Sequence, residues 1–342
     1  MLLWQELKIK FISCRRLIKK RDLHLCLISK KRWIGDEIII ENIIDFYYGI
    51  TINNLKKINN NYYFTYNNDK YVLEECNIDD ELLNSLYYIE IMLYNSCNLL
   101  LHRFILNKDN KISIYYDNKK YVLFHMYNDM DNNITIDDLN EFRFLFNNNY
   151  INSNYISDSL IMNNKWRKLW MNKIDYYEYE IENYKSYNFY EVFDYFIGLT
   201  EIGIQLLYFC NYNNNFFISH KRVSMSMKKR DLYNPLNIVI DKYERDYAEY
   251  YKDVFFKGNY INIMDYIKNN NIEDLYLFFV RLLYITPFFD SFDEIIRKNS
   301  SIYNKKIERV INSIDLYVIE LKKLYKYIYM NNNILYIEYF SI

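Results

Sequence analysis

The sequence predicts an α+β chain with a strand-bearing first part and a helical remainder. Three observations carry this. Short apolar runs at Tyr62–Tyr66, Tyr71–Leu73, Lys111–Tyr116 and Tyr121–Tyr127 are separated by Asn- and Asp-rich turns, the punctuation expected between strands. One helical stripe, Leu82, Leu86, Ile89, Leu93 and Cys97, falls among them, with apolar residues every three or four positions. From Thr135 onward helical stripes dominate. The expected boundaries are a basic extension at 1–35, a smaller part with a mixed sheet and one helix at 36–128, and a larger helical part at 129–342.

The 342 residues are 51% hydrophobic, enough for a sizeable core. A net charge of −1 argues against nucleic acid as the main partner. The skew toward Ile, Asn, Lys and Tyr, with 40 Tyr but 5 Gly and 2 Pro, suggests an AT-rich genome, and that codon bias explains the aromatic excess better than a stacking surface does. The five cysteines, Cys14, Cys26, Cys76, Cys97 and Cys210, are odd in number and show no CxxC spacing. That fits a reducing cytosol rather than a disulfide or zinc scaffold. The sequence has no apolar run of about 18 residues, so no membrane span is expected. Residues 1–34 hold ten Lys and Arg against two acids and lack Asn. They read as an extension outside the folded domain, with a basic surface-binding arm as the sharper alternative.

Taken in order, Ile38–Tyr48 leads into the strands. Gly49 stands alone, so no glycine-rich loop precedes them. Lys70 lies at the start of the strand that resumes at Tyr71 and carries Glu74. Asp79–Cys97 is the helix of this part and carries Glu90. Strands follow at Leu99–Leu106, Lys111–Tyr116 and Tyr121–Tyr127, with His125 near the end of the last. Thr135-Ile-Asp-Asp138 reads as an N-cap with first-turn acids for a helix that runs to Phe146. Asn147–Ser159 reads as loop. Asn164–Tyr184 is helical, with Trp166 and Trp170 on one packing face. Tyr190–Phe209 is the best core helix, its stripe running through Val192, Phe196, Leu199, Ile202 and Leu206, with Gly198 and Gly203 allowing close approach. Ile261–Lys268, Ile272–Tyr284 and Phe289–Lys298 are further helices, broken at Pro287. A long amphipathic stripe from Ile307 to Ile328 closes the chain.

The informative stretch is Phe216–Phe256. A strand ends at His220, a polar excursion with Lys228, Lys229 and Arg230 follows, a second strand ends at Asp241, and Arg245-Asp246 opens a helix. This pattern resembles the small-molecule kinases of the aminoglycoside and choline kinase type. They carry His-x-Asp, an Asn five residues after that Asp, then Ile-Asp and a further Asp before a helix. In the resemblance His220 matches the motif histidine, Asp241 the metal-holding Asp and Asp246 the structural Asp. Arg222 stands in place of the catalytic Asp and Met227 in place of the Asn. Trp166–Trp170, Ile197–Ile202, Arg281–Tyr284 and Pro287–Asp290 are further similar to the spore-coat-associated kinase-like proteins of the CotS and YutH group, over about residues 45–335.

The resemblance implies a protein-kinase-like bilobal fold. It implies a spore-coat-associated protein, with Lys70 and His125 as the nucleotide-facing candidates and Asp241 as metal ligand only if the chain is active. The lost acid and Asn favour a non-catalytic, pseudokinase-like protein with a structural or interaction role. On that reading no cofactor is expected, coat proteins are the partners, and the chain is cytoplasmic and deposited on the forming spore. The alternative is an active phosphotransferase using ATP and magnesium on a hydroxyl substrate, with Asp231 reaching back as base. A guanidinium at Arg222 is expected to face Asp241 and fill the place of the metal.

Overall fold

The computed structural model describes residues 36–52, 54–97, 101–127, 130–146, 156–162, 164–210, 217–298, 302–332 and 336–341. The basic extension and most of the 147–159 loop lie outside these residues. The described chain divides into two compact units, one of residues 36–77 with Arg103–Met126, the other of Ile78–His102 with Tyr127 onward.

The smaller unit is a sheet with one helix. Helix α1 is Asp36–Tyr48. The strands are β1 Lys56–Ile58, β2 Asn61–Tyr66, β3 Asp69–Glu75, β4 Arg103–Ile105, β5 Ser113–Tyr116 and β6 Lys119–Met126. Their order is β1-β2-β3-β6-β4, with β5 also on β6. Every described pairing is antiparallel rather than mixed. The turns explain this. Asn67-Asn68 and Asp117-Asn118 adopt positive φ between directly paired strands, and two such residues make the tight turn that matches strand twist. In a chain with 5 glycines, Asn and Asp supply the left-handed conformation. Ile39, Ile40, Ile43 and Ile44 project from one face of α1 into a core with Tyr62, Phe64, Leu73, Ile114, Tyr116, Tyr121 and Leu123. Each buried isoleucine contributes roughly 2 kcal/mol. Gly49, at φ 73°, ends α1 by returning its N–H to the Asp45 carbonyl at 2.9 Å. Lys108 Nζ donates to the Asp45 and Phe46 carbonyls at 3.0 Å each. The lone glycine is therefore a helix cap.

The larger unit is mostly helical. In order it contains α2 Asp80–Cys97, α3 Ile136–Phe146, α4 Trp166–Ile181, α5 Phe193–Leu207, strand β7 Phe217–His220, a single helical turn at Lys229–Leu232, strand β8 Ile238–Asp241, α6 Glu244–Phe256, α7 Ile263–Asn269, α8 Leu275–Leu283, α9 Thr286–Lys298 and α10 Ile302–Asn332. Helix α2, expected with the sheet, groups with this unit. The core centres on α8, in which every residue from Leu277 to Leu283 is buried. The Leu275–Lys298 stretch has the length and hydropathy of a membrane span, but 72% of its most apolar window is buried inside the unit. Tyr284-Ile285, just ahead of Pro287 in the first turn of α9, also divides it into two helices. Aromatic stacking is dense here: Phe196 lies 3.8 Å from Phe288 at 7°, and Trp170 lies 5.0 Å from Tyr284.

The two glycines of α5 differ. A Cβ at Gly203 would lie 3.1 Å from the Trp170 ring and 3.2 Å from Leu283, whereas at Gly198 it would meet nothing within 4 Å. Only Gly203 serves close helix approach.

Candidate functional site

Strands β7 and β8 form a two-stranded antiparallel ladder in which Phe217 opposes Asp241 and His220 opposes Ile238. The two polar strand-end residues therefore sit at opposite ends of the ladder, separated along it by ~10 Å. Past the ladder, Arg245 reaches the Lys221 carbonyl through Nη2 and lies 3.9 Å from Asp241 through Nε.

His220 is sealed. Its side chain is fully buried, Nδ1 lies 2.7 Å from Asp246 Oδ2, and Nε2 lies 2.9 Å from the Leu232 carbonyl. Its backbone N–H donates to Asp246 Oδ1 at 3.1 Å. Asp246 thus uses both oxygens to pin the end of β7 to the first turn of α6, and both imidazole nitrogens are engaged.

Arg222 does not face Asp241. Its side chain is 79% exposed and Nη1 pairs with Asp290 at 3.1 Å. The expected Arg222–Asp241 pair is not formed, because the exposed Arg222 side chain takes Asp290 as its partner. Met227, in the place of the motif Asn, has its sulfur 3.9 Å from the Asn237 amide, which also reaches the Asp231 carbonyl at 3.4 Å. Asp231 stands on the Lys229–Leu232 turn, 3.7 Å from Arg230 Nε. Partial burial pushes its carboxyl above the usual range, against the lowering influence of Arg230. In the smaller unit Lys70 is exposed on β3, paired in register with Met126. His125 lies one register position away, its ring 5.1 Å from Tyr71 and Nε2 3.6 Å from Asp69.

Asp241 is 2% exposed and closed by neighbours. Trp166 Nε1–H donates to Oδ2 at 2.6 Å, the Lys242 backbone N–H donates to Oδ1 at 2.8 Å, and Arg245 Nε lies 3.9 Å away. Burial raises the Asp241 carboxyl, and the charges of Arg245 and then Arg281 oppose that rise. Magnesium needs several hard oxygens in octahedral array. Both Asp241 oxygens already take N–H donors. Among the described residues no three His, Cys, Asp or Glu side chains group as a metal site.

The contacts that dominate the interior here join residues far apart in the sequence. Arg245 and Arg281 both lie against Trp166, with guanidinium carbons 4.6 and 4.1 Å from its ring centroid. Arg281 Nη2 donates to Glu249 Oε1 at 3.1 Å. Lys252 is fully buried, with Nζ within 3.1 Å of Glu249 Oε1, the Arg281 and Tyr284 carbonyls and Thr286 Oγ1. It ties α6 to the corner between α8 and α9. Burial lowers its ammonium to about 8, against the pull of Glu249. The available signals were Glu249 and Lys252 at i, i+3, and Trp166, whose indole N–H needs an acceptor when buried. Neither names its partner.

Above this cluster lies a cavity of about 610 Å³, bounded within the larger unit by Trp166, Trp170, Arg222, Arg245, Arg281 and Asp290 among others.

The comparisons with known proteins fit this arrangement. No curated protein matches the sequence. Among solved structures the chain resembles an aminoglycoside phosphotransferase from Alicyclobacillus acidocaldarius, with a TM-score of 0.58, 8% identity, and cover of 83% of this chain and 94% of that one. It resembles a spectinomycin phosphotransferase in complex with ADP and spectinomycin at 0.53, 12%, 79% and 93%. A microcompartment-associated aminopropanol kinase gives 0.53, 8%, 86% and 98%. At such identities these likenesses establish the kinase-like fold. The family model described as "Spore coat putative kinase YutH" matches residues 41–323. With most of its length matched, this chain belongs to that spore-coat kinase family.

Proposed function

We propose that this chain is a non-catalytic, kinase-like spore-coat protein with a structural or interaction role, made in the cytoplasm, deposited on the forming spore surface and partnered by other coat proteins. The observation that carries the reading is the state of the ladder ends. The position matched to the proton acceptor holds Arg222, turned outward to Asp290. The carboxylate matched to the metal ligand is closed under Trp166 and Lys242. Phosphoryl transfer relies on positioning and on charge neutralisation by bound metal, and neither end supplies an open carboxylate.

The test is thermal unfolding with ATP, with and without magnesium, beside an assay for released ADP. The expected outcome is no magnesium-dependent shift and no ADP. Arg222→Asp should not restore turnover, because Asp241 stays closed. A ligand at 100 times its Kd would stabilise the chain by about 2.7 kcal/mol, which such a measurement resolves. A magnesium-dependent shift of that size overturns the reading. ADP release abolished by Asp231→Asn would establish the phosphotransferase alternative instead, with ATP and magnesium as cofactors.

A further inference from the structure

The cavity above the Trp166 cluster carries a charge imbalance. Nine lysines and arginines line it against five carboxylates, an excess of four positive charges. Most of those carboxylates are already engaged: Asp290 with Arg222, Asp253 with Lys257, Glu294 with Lys298, and Glu249 with Lys252 and Arg281. Lys173, Lys306 and Arg309 border the same space and form no ion pair with a described residue.

The floor of the cavity is more unusual than its rim. Arg245 and Arg281 have side chains only 7% and 4% exposed, and both line the cavity. Arg245 uses Nη2 on the Lys221 carbonyl at 2.7 Å, and Arg281 uses Nη2 on Glu249. Nε and Nη1 of each make no hydrogen bond. Buried guanidinium N–H groups without acceptors are costly. The two like charges also press on one indole, and the pull on Arg245 follows: burial first and then the Arg281 charge lower its proton affinity. Asp241, Asp246 and Glu249 offset Arg245, Arg281 and Lys252 within the buried cluster, so the excess is that of the cavity lining. An oxyanion meeting those forks would satisfy the open N–H groups and neutralise the excess, since planar guanidinium matches phosphate and carboxylate geometry. A cavity of about 610 Å³ is of the size that takes a small molecule.

We infer that this cavity binds a small anionic ligand through phosphate or carboxylate groups, seated on Arg245 and Arg281 and steered by Lys173, Lys306 and Arg309. The inference does not rest on the absence of phosphoryl transfer and would stand if the chain proved active.

The test uses the full chain, freed of metal on a chelating resin and held at constant ionic strength, titrated calorimetrically with pyrophosphate, citrate and, as a cationic control, spermidine. Pyrophosphate or citrate should bind with a Kd of about 0.1 mM or tighter, the arm that binds telling phosphate from carboxylate. The double variant Lys173→Gln, Lys306→Gln touches only exposed side chains. It should keep the melting temperature of the free chain and weaken binding about tenfold, through lost field in the cavity. Arg281→Lys keeps the charge but loses the fork, and should weaken binding by at least as much. The inference is overturned if neither anion binds at about 50 times that Kd, if the exposed double variant binds as the parent does, or if spermidine binds in their place.

Discussion

Glu244→Gln makes the sharpest demand on the physical account of this interior. Glu244 opens α6, where a carboxylate ordinarily gains from the helix dipole. It is also 1% exposed. Burial dominates and raises its carboxyl from 4.5 to about 7, against hydrogen bonds from its own backbone and from the Asp274 N–H, which lies 3.1 Å from Oε1. The folded chain therefore holds the proton to higher pH than the unfolded chain. The stability tied to this group is complete below pH 4.5 and is lost as pH rises through about 7. The gap, at roughly 1.4 kcal/mol per pH unit, amounts to about 3 kcal/mol. Glutamine keeps the acceptor facing Asp274 and never ionises. In urea unfolding followed by far-UV circular dichroism, the variant should gain on the parent by about 2–3 kcal/mol between about pH 5 and about pH 8, less whatever its amide group costs at both ends. A variant-minus-parent difference that stays flat across that range refutes the claim that Glu244 is a destabilising buried acid.

Two further substitutions probe the cluster and its packing. Trp166→Phe removes the N–H that satisfies Asp241 and part of the face on which both guanidiniums rest. It should cost about 1–3 kcal/mol in urea unfolding, and a loss below about 0.5 kcal/mol would show that the indole only fills space. Gly203→Ala should destabilise by about 1 kcal/mol or more, because its Cβ strikes Trp170 and Leu283. Gly198→Ala, with open space at its Cβ, should instead stabilise by about 0.5–1 kcal/mol through helix propensity, and equal effects at the two sites would contradict the packing account.

Local chemistry was legible in the sequence wherever it is set by neighbours along the chain. The Asn and Asp pairs at 67–68 and 117–118 announced turns because only such residues and glycine take positive φ cheaply. The helical stripes announced α2, α5 and α10, and the substitutions at 222 and 227 were visible as letters. What those letters touch was not visible. Arg222 meets Asp290, 68 residues on, rather than Asp241. Trp166 reaches Asp241 across 75 residues. Lys252 is buried because two carbonyls of the α8–α9 corner, with Glu249 and Thr286, converge on its ammonium. Gly198 and Gly203 are alike in sequence and differ only in what packs against them. Periodicity and turn preference act over a few residues, so the sequence by itself determined the elements and the family frame. The choice of partner for each charge depends on which surfaces come together in the core, and only the tertiary structure decided that.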